Sequence, residues 1–299
     1  MGRVETGSPG ERGLPRRVAV VGLGLMGASL ARSLKAADPG IRVAAVEPDA
    51  AVRERALRDG VADEAAEAPG AELAACEVAV LCTPVAAIEE LLAPVSRLLP
   101  AGAVLTDVGG AKERVVARAA AEVRPGVAFV GAHPMFGGQG GYGSARADRW
   151  RGGTVAVCVD GAPEEAVERV ESLHRALGAR VLRCRAAEHD AAVAVVSHLP
   201  YLVASALSLL AGQAGPLAQA LAGPGLQDMT RLAAFAFDVQ GEVARRNAFL
   251  PEAARRLEGH LGRLLSAVAD SPASARAALE EARAARQRLY PPAPAPEGA

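Results

Sequence analysis

One histidine and a set of three glycines are the residues best placed to do chemistry together. His133 follows an apolar run in the segment Gly-Ala-His-Pro-Met-Phe-Gly, residues 131–137. Gly22, Gly24 and Gly27 form a Gly-x-Gly-x-x-Gly pattern between another apolar run and a helix-like stretch. An imidazole, whose ordinary pKa is about 6.5, can take up a proton while a hydride leaves for a nicotinamide ring. The two features together predict a dehydrogenase.

The glycine pattern meets the requirements of a loop that binds a dinucleotide. The first glycine permits a tight turn, the second lets backbone N–H groups approach the pyrophosphate, and the third lets helix and strand pack closely. We therefore expect a cofactor to contact Gly22, Gly24 and Gly27 and the intervening Leu25 and Met26. A tight turn without a ligand is the alternative interpretation.

Three residues beyond the glycines are predicted to complete the cofactor site. Glu47 ends the next predicted strand, roughly 20 residues further on, where a carboxylate can bind the ribose hydroxyls of a dinucleotide. A carboxylate would repel a ribose phosphate, so Glu47 favours NAD over NADP, although a solvated acid is the alternative. Thr83 and Pro84 follow a later strand and are expected to shape the site beside the cofactor.

Composition is typical of a two-domain cytoplasmic protein that acts on a small molecule. The 299 residues are 51% hydrophobic, and 33 Lys+Arg against 34 Asp+Glu give a net charge of -1. Without a basic stripe, nucleic acid is not an expected partner. No uninterrupted apolar run reaches the roughly 18 residues of a membrane-spanning helix, so no membrane partner is expected either.

The cysteines and the remaining histidines do not suggest a metal site. The four cysteines, which are scattered singly in apolar surroundings and are expected to be free thiols, are Cys76, Cys82, Cys158 and Cys184. His189 is expected at the start of a helix, and His174 and His260 on exposed helix faces. No metal is therefore predicted.

The elements that position these residues alternate between strand and helix in the first half of the chain. Such alternation predicts an α/β fold with a Rossmann-like, doubly wound parallel sheet. The predicted strands are residues 18–21, 43–46, 78–81, 104–107 and 127–131, and the predicted helices between them are residues 26–36, 50–58, 85–98 and 112–122. A last strand pair, residues 154–159 and 180–183, flanks a predicted helix at residues 163–177.

The second half of the chain is predicted to be all-helical, with helices at residues 186–211, 226–235, 251–269 and 273–289. The apolar faces of these helices exceed what a small domain can bury, so we expect a homodimer formed through them. The resulting domains are a disordered tail at 1–15, a dinucleotide-binding domain at 16–185, a helical substrate and dimerisation domain at 186–290, and a second disordered tail at 291–299.

Five short motifs occur in the order and spacing found in one enzyme family. They are Gly-Leu-Gly-Leu-Met-Gly from Gly22, Asp-Val-Gly-Gly-Ala-Lys from Asp107, Gly-Ala-His-Pro-Met from Gly131, Ser-His-Leu-Pro from Ser197 and Asp-Met-Thr-Arg from Asp228. On these motifs the chain resembles the prephenate and arogenate dehydrogenases over about residues 16–270. The resemblance implies an NAD-dependent oxidative decarboxylation of prephenate or arogenate that yields an aromatic product.

The resemblance also implies roles for individual residues. His133 would be the base that takes the proton of the ring hydroxyl, and His198 a second catalytic residue facing the same pocket as Tyr201. Arg231 would hold a substrate carboxylate, ideally with two parallel hydrogen bonds. The alternative interpretations are a packed histidine for His133 and for His198, and a surface arginine paired with Asp228 for Arg231.

Three positions on the substrate side depart from the family's pattern. Gly110 stands where the family usually has serine, Gln139 where a glutamate commonly follows the histidine loop, and Tyr201 where a second histidine is usual. Losing a hydroxyl that contacts the reacting group should cost about 1–3 kcal/mol of transition-state stabilisation. A 4-amino-4-deoxyprephenate dehydrogenase, whose substrate has an amine at the carbon that loses hydride, is therefore an alternative.

Two other functional classes share the same two-domain plan. β-Hydroxyacid dehydrogenases and imine reductases commonly use a lysine or an acid on the first long helix between the domains. The two lysines of this chain, Lys35 and Lys112, lie outside residues 186–211, which counts against that class. A cofactor-binding protein without catalysis is the remaining alternative.

Overall fold

The structure is a computed structural model that describes residues 14–291. Both predicted disordered tails, 1–15 and 291–299, lie almost entirely outside these described residues. The chain forms two compact units, of which the first ends at Ala248 and the second begins at Phe249.

A parallel sheet of six strands forms the centre of the first unit, in the order β3-β2-β1-β4-β5-β6. Its strands are β1 (Arg17–Val21), β2 (Arg42–Val46), β3 (Glu64–Ala66), β4 (Val78–Leu81), β5 (Val104–Asp107) and β6 (Ala128–Val130). This is the strand order of the Rossmann fold, so the predicted fold class is confirmed. The short strand β3 was missed because Glu-Ala-Ala lacks the β-branched residues on which the prediction depended.

Alternate residues of β1 belong to two hydrophobic cores, one on each face of the sheet. Val18 and Val20 pack into one core, and Ala19 and Val21 into the other. Such continuous burial requires helices on both faces. These helices, which follow the strands with nearly the predicted bounds, are α1 (Leu25–Ala37), α2 (Ala50–Arg58), α3 (Val85–Leu98) and α4 (Glu113–Glu122).

A second, three-stranded sheet carries the candidate base. Its strands are β7 (Ala132–Pro134), β8 (Thr154–Cys158) and β9 (Arg180–Cys184), with α5 (Glu164–Ala176) connecting the last two. Strand β7 runs antiparallel to β8 and places His133 opposite Ala156. The single strand predicted at 127–131 was therefore wrong: at Gly131 the chain leaves β6 of the first sheet and enters β7 of the second.

The helix predicted at residues 186–211 is present but not uniform. It consists of α6 (Ala186–Val193), one π-helical turn (Ala194–His198) and α7 (Leu199–Gln213). Wider turns of this kind occur often at functional sites. The rest of the first unit contains α8 (Pro216–Ala220), α9 (Pro224–Thr230), a 3-10 turn (Arg231–Ala234), a π-helical turn (Phe237–Gly241) and α10 (Glu242–Arg246).

The stretch Ala186–Gln213 is also long and apolar enough to cross a membrane. The sequence-based count missed it because scattered Ser and His residues interrupt the apolar run. Only 28% of its most apolar window is buried in the single chain. Length and composition alone do not distinguish a membrane span from a helix covered by another protein surface.

The second unit is a pair of helices, α11 (Leu250–Asp270) and α12 (Pro272–Leu289). Ser271 separates them, and its hydroxyl accepts a hydrogen bond from the backbone N–H of Ser274, which caps α12. On α11, Leu261, Leu265 and Val268 are more than half exposed and recur at the spacing of one helical face. The unit therefore leaves an apolar stripe uncovered.

Candidate active site

The glycine loop between β1 and α1 has the geometry that its pattern predicts. Gly22 adopts a positive φ of 93°, a conformation that only glycine adopts easily. A Cβ on Gly27 would lie 1.8 Å from the Gly22 carbonyl oxygen, whereas one on Gly24 would meet nothing within 4 Å. The first and third glycines are thus required by the fold, and the second leaves the start of α1 open to a ligand.

Glu47 and Thr83 lie beside this loop at the carboxyl ends of β2 and β4. The Glu47 carboxylate accepts hydrogen bonds from the backbone N–H groups of Leu23, at 2.8 Å, and Asp49, at 3.1 Å. The Thr83 hydroxyl is buried and has no hydrogen-bond partner among the described residues. A buried hydroxyl without a partner is unfavourable, so these residues fit a ligand that supplies a polar group here.

A buried ion pair holds the backbone of Ala132, the residue immediately before His133 in the sequence. The Lys112 ammonium and the Asp107 carboxylate are both fully buried and form a salt bridge. Lys112 Nζ also donates to the Ala132 carbonyl at 3.0 Å, while Asp107 accepts from the backbone N–H of Ala132 at 3.2 Å. Because the pair bonds to both backbone groups of one residue, Ala132, it holds the end of β5 against the start of β7.

His133 forms one end of a hydrogen-bonded chain of three side chains. Its Nδ1 lies 2.8 Å from Nε2 of His189, and Nδ1 of His189 lies 2.7 Å from a carboxylate oxygen of Asp190. The same carboxylate accepts hydrogen bonds from the backbone N–H groups of Lys112 and Glu113 at the start of α4. His189, expected only as a helix-start residue, therefore contacts the candidate base directly.

The electrostatics of this chain keep Asp190 charged and His133 neutral. Burial alone would raise the pKa of Asp190, but hydrogen bonds from His189 and from the backbone of Glu113 and Lys112 leave it below its ordinary value. Burial of the His133 ring, reinforced by His189, Lys112 and His198, lowers its pKa well below the ordinary value. A neutral imidazole can accept a proton at neutral pH.

His198 lies at the end of the π-helical turn and is 1% exposed. Its Nδ1 is 3.0 Å from the side-chain amide nitrogen of Asn247, which also donates to the Asp190 carbonyl at 2.7 Å. Burial lowers the pKa of His198 to about 4, against the opposing effects of Asp190 and a hydrogen bond with the Gly110 backbone. His198 thus supports the Gly110 loop, the segment between β5 and α4, through a contact that the sequence pattern did not predict.

Gly110 faces the ring of the candidate base. A Cβ placed on Gly110 would lie 3.6 Å from both Nε2 and Cε1 of His133 and 3.2 Å from Cγ1 of Val243. Because Gly110 has no side chain, none extends from this position toward Nε2. The described residues around His133 include no group of His, Cys, Asp or Glu arranged to hold a metal ion.

The other predicted substrate residues are not brought into this cluster. Gln139 is exposed in the loop after β7, and Tyr201 is half-buried on α7. Arg231 is exposed at the start of its 3-10 turn, which packs against α7. Within residues 14–291 its guanidinium has neither the alternative ion pair with Asp228 nor another hydrogen bond.

One expectation for a residue outside the site was wrong. His174 is fully buried rather than exposed: it accepts a hydrogen bond from Trp150 Nε1 at 2.9 Å, and burial lowers its pKa to about 4. Cys158 and Cys184 are not isolated but directly paired in register on β8 and β9. Both remain free thiols, as do Cys76 and Cys82.

Two family models match the chain in succession. Residues 30–183 match "Prephenate dehydrogenase, nucleotide-binding domain", and residues 185–273 match "Prephenate dehydrogenase, dimerization domain". The prephenate dehydrogenase of Bacillus subtilis is 28% identical over 225 residues, which are 72% of this chain and 60% of that protein. The cyclohexadienyl dehydrogenase of Zymomonas mobilis is 28% identical over 63% of this chain and 65% of its own length. The chain thus spans less than two thirds of these curated relatives.

Solved structures of similar proteins cover the chain more completely. Synechocystis arogenate dehydrogenase has a TM-score of 0.79 and 26% identity, with 91% of this chain and 99% of that chain covered. Prephenate dehydrogenase from A. aeolicus, in complex with hydroxyphenyl propionate and NAD+, has a TM-score of 0.85 at 23% identity over 92% and 98% of the two chains. A 3-hydroxyisobutyrate dehydrogenase from Salmonella typhimurium reaches only 0.52 at 18% identity, over 81% of this chain and 88% of that chain, so it shares the general fold alone.

Proposed function

Because this chain belongs to the prephenate dehydrogenase family, we propose that it catalyses the NAD-dependent oxidative decarboxylation of prephenate or its close analogue arogenate. In this reaction a hydride leaves the ring carbon bearing the hydroxyl, CO2 leaves the opposite ring carbon, and the ring becomes aromatic. The observation that carries the proposal is a neutral imidazole, His133, whose Nε2 faces Gly110, a residue without a side chain.

The residues of the glycine loop fit NAD in charge and shape. Gly22, Gly24 and Gly27 would admit the pyrophosphate to the start of α1, with Leu25 and Met26 between them. Glu47 would bind the ribose hydroxyls, and the unpartnered Thr83 hydroxyl, next to Pro84, would bond to the cofactor. When bound there, NAD+ accepts the hydride.

The chain's own residues would move the proton and hold the substrate. His133 Nε2 takes the proton of the ring hydroxyl while the hydride departs. Arg231, whose guanidinium has no hydrogen bond within residues 14–291, binds a carboxylate of the substrate. Tyr201 and Gln139 contact the end of the substrate that is farthest from His133. His198 acts by supporting the Gly110 loop, since both its burial and its bond to Asn247 hold it in place.

The helical part of the chain would form the interface of a homodimer. Leu209 and Leu210 on α7 are 66% and 67% exposed. The helical stretch that contains them is long enough to span a membrane, but it lies within the residues that match a dimerization domain, which favours a second copy of the chain as its cover. The two family models meet near residue 184, which supports domains at 16–185 and 186–290. The free thiols fit a reducing cytoplasm.

The dimer proposal is tested by light scattering on size-exclusion fractions. Leu210→Glu should convert the dimer to a monomer, whereas Leu57→Glu, at an exposed leucine of α2, should leave it intact. A monomeric wild-type protein, or one that requires detergent to stay in solution, would contradict it.

The activity is tested by mixing purified protein with NAD+ and prephenate or arogenate and measuring NADH formation and the aromatic product. Replacing the base, His133→Asn, should lower kcat by about 10²–10⁴-fold. The matched control is His260→Asn, at an exposed histidine of α11, which should behave as wild type. Equal activity in wild type and His133→Asn would exclude His133 as the base.

The absence of a side chain at Gly110 favours a second candidate, 4-amino-4-deoxyprephenate. An amine at the reacting carbon would occupy the volume that a serine side chain would otherwise fill beside His133. Comparing kcat/KM for prephenate, arogenate and the amino analogue decides between them. A wide margin for prephenate or arogenate would reject the amino substrate.

A further inference from the structure

We propose that His189 and Asp190 are positioning residues for His133: they hold its ring in the tautomer that leaves Nε2 free, and they stabilise the imidazolium that proton transfer creates. This inference rests on the proposed function, because it assigns His189 and Asp190 to the proton-accepting step of the same site. His189 is 4% exposed and Asp190 1% exposed, so neither is expected to contact the substrate.

The tautomer follows from the hydrogen bonds in order. Asp190 is ionised and can only accept, so Nδ1 of His189, 2.7 Å away, must be the donor. A neutral His189 then has an unprotonated Nε2, which accepts a hydrogen bond from Nδ1 of His133 at 2.8 Å. A neutral His133 with its proton on Nδ1 has its lone pair on Nε2, the nitrogen that faces Gly110.

The same chain responds to the charge that appears during the reaction. When Nε2 of His133 takes the substrate proton, both of its nitrogens are protonated and the ring carries one positive charge. His133 Nδ1 then donates a charge-assisted hydrogen bond to Nε2 of His189, and Nδ1 of His189 donates to the Asp190 carboxylate. This resembles the histidine–aspartate arrangement of serine hydrolases, with one more imidazole between base and carboxylate.

The groups that face His133 make such compensation necessary. Lys112 and His198 disfavour a positive charge on the ring, as a protonated His189 would, and the Asp107 carboxylate nearby is already paired with Lys112. Among the described residues of this cluster, Asp190 is the carboxylate that is connected to His133 through the imidazole of His189. A purely structural role for Asp190, capping α4, would leave the protonation state of His133 unaffected.

The first test observes the tautomer directly. In protein labelled with 15N-histidine, long-range 1H–15N correlation spectra distinguish protonated from unprotonated ring nitrogens, and His133→Asn identifies the His133 signals among the five histidines. We expect wild-type His133 to carry its proton on Nδ1. In His189→Leu the proton should be shared between both nitrogens, and His189→Gln, whose carbonyl can still accept, should restore the wild-type signature.

A wild-type spectrum with the proton on Nε2, or a His189→Leu spectrum identical to wild type, would overturn the proposal. The spectra require no substrate, so they remain decisive if the protein turns over none of the cyclohexadienes tested. That outcome would reject the proposed function alone. The wild-type spectrum is also sufficient if His189→Leu fails to fold.

The second test separates positioning from substrate binding. We expect His189→Leu to lower kcat by about 10²-fold with KM changed less than about threefold, because the proton-accepting step is impaired and the pocket is not. His189→Gln should recover at least a tenth of wild-type kcat, and His260→Gln should match wild type. An unchanged kcat in His189→Leu would reject the positioning role.

Discussion

Gly110 faces the His133 ring so closely that a Cβ at this position would lie 3.6 Å from Nε2, the nitrogen assigned to accept the substrate proton. The resemblance to the family predicts a serine at this position, so the chain lacks a hydroxyl next to the ring of His133. The departure at one residue therefore changes the immediate surroundings of the proposed base, His133, which is itself retained.

Introducing a serine side chain at Gly110 should improve activity on prephenate. Gly110→Ser should raise kcat/KM for prephenate about 10-fold over Gly110→Ala, because one hydrogen bond to a reacting hydroxyl is worth about 1–3 kcal/mol. Both variants add the same Cβ, which meets Val243 at 3.2 Å, so the comparison isolates the hydroxyl. Equal kcat/KM values for the two variants would show that the hydroxyl contributes nothing.

The cofactor loop was predictable from sequence because each requirement is local. Gly22, Gly24 and Gly27 occur within six residues, and their spacing alone specifies a turn, an open helix start and a close packing contact. The structure shows these three features at the predicted positions.

The contact between His189 and the proposed base, His133, was not predictable in the same way. His189 is 56 residues from His133, and the contact forms only when α6 packs against β8, the strand that pairs with β7. Nothing in the local pattern around His189 indicates that its ring faces the site. His174 was misassigned for a related reason: α5 is rich in charged residues, but its buried face includes His174 because Trp150 packs there.

Substitutions at the second and third glycines of the loop should distinguish an effect on NAD binding from an effect on folding. Gly24→Ala places its methyl group in open space, so the free energy of unfolding should change little. NAD affinity should fall about 10-fold or more, because the methyl group occupies the approach of the pyrophosphate. Differential scanning fluorimetry and NAD titration measure the two effects.

Gly27→Ala is the contrasting variant. Its Cβ would collide with the Gly22 carbonyl oxygen, so both stability and NAD binding should be lost together. A Gly24→Ala protein that binds NAD as tightly as wild type would contradict this placement of the cofactor.

Glu47 should set the preference between NAD and NADP through its charge. Glu47→Gln removes the charge but keeps an oxygen that can accept from Leu23, so the loop should remain folded. The ratio of NAD to NADP affinity should fall about 10-fold, since repulsion of the ribose phosphate is relieved. Asp49→Asn, which alters a neighbouring exposed carboxylate, should leave the ratio unchanged. If both variants shift the ratio equally, general electrostatics rather than Glu47 determines it.

Stability should fall with acidification because His174 is buried in its neutral form. Trp150 donates to Nδ1 of His174, and the other ring nitrogen has no partner among the described residues. The pKa of His174 is lowered to about 4 in the folded protein, against about 6.5 in the unfolded chain. As the pH falls below about 6.5 the unfolded chain binds a proton first, so stability is lost between about pH 6.5 and 4.

Urea unfolding at a series of pH values measures this loss. The His174 contribution has a slope of up to about 1.4 kcal/mol per pH unit, for a total of roughly 3 kcal/mol. His174→Gln should be less stable than wild type at pH 7, because the stacking on Trp150 is lost, yet its stability should depend less steeply on pH. The two curves should converge toward pH 4, whereas His260→Gln should keep the wild-type slope. Parallel curves for wild type and His174→Gln would show that His174 is not the group that titrates, and buried His198, whose pKa is also lowered to about 4, would be the next to replace.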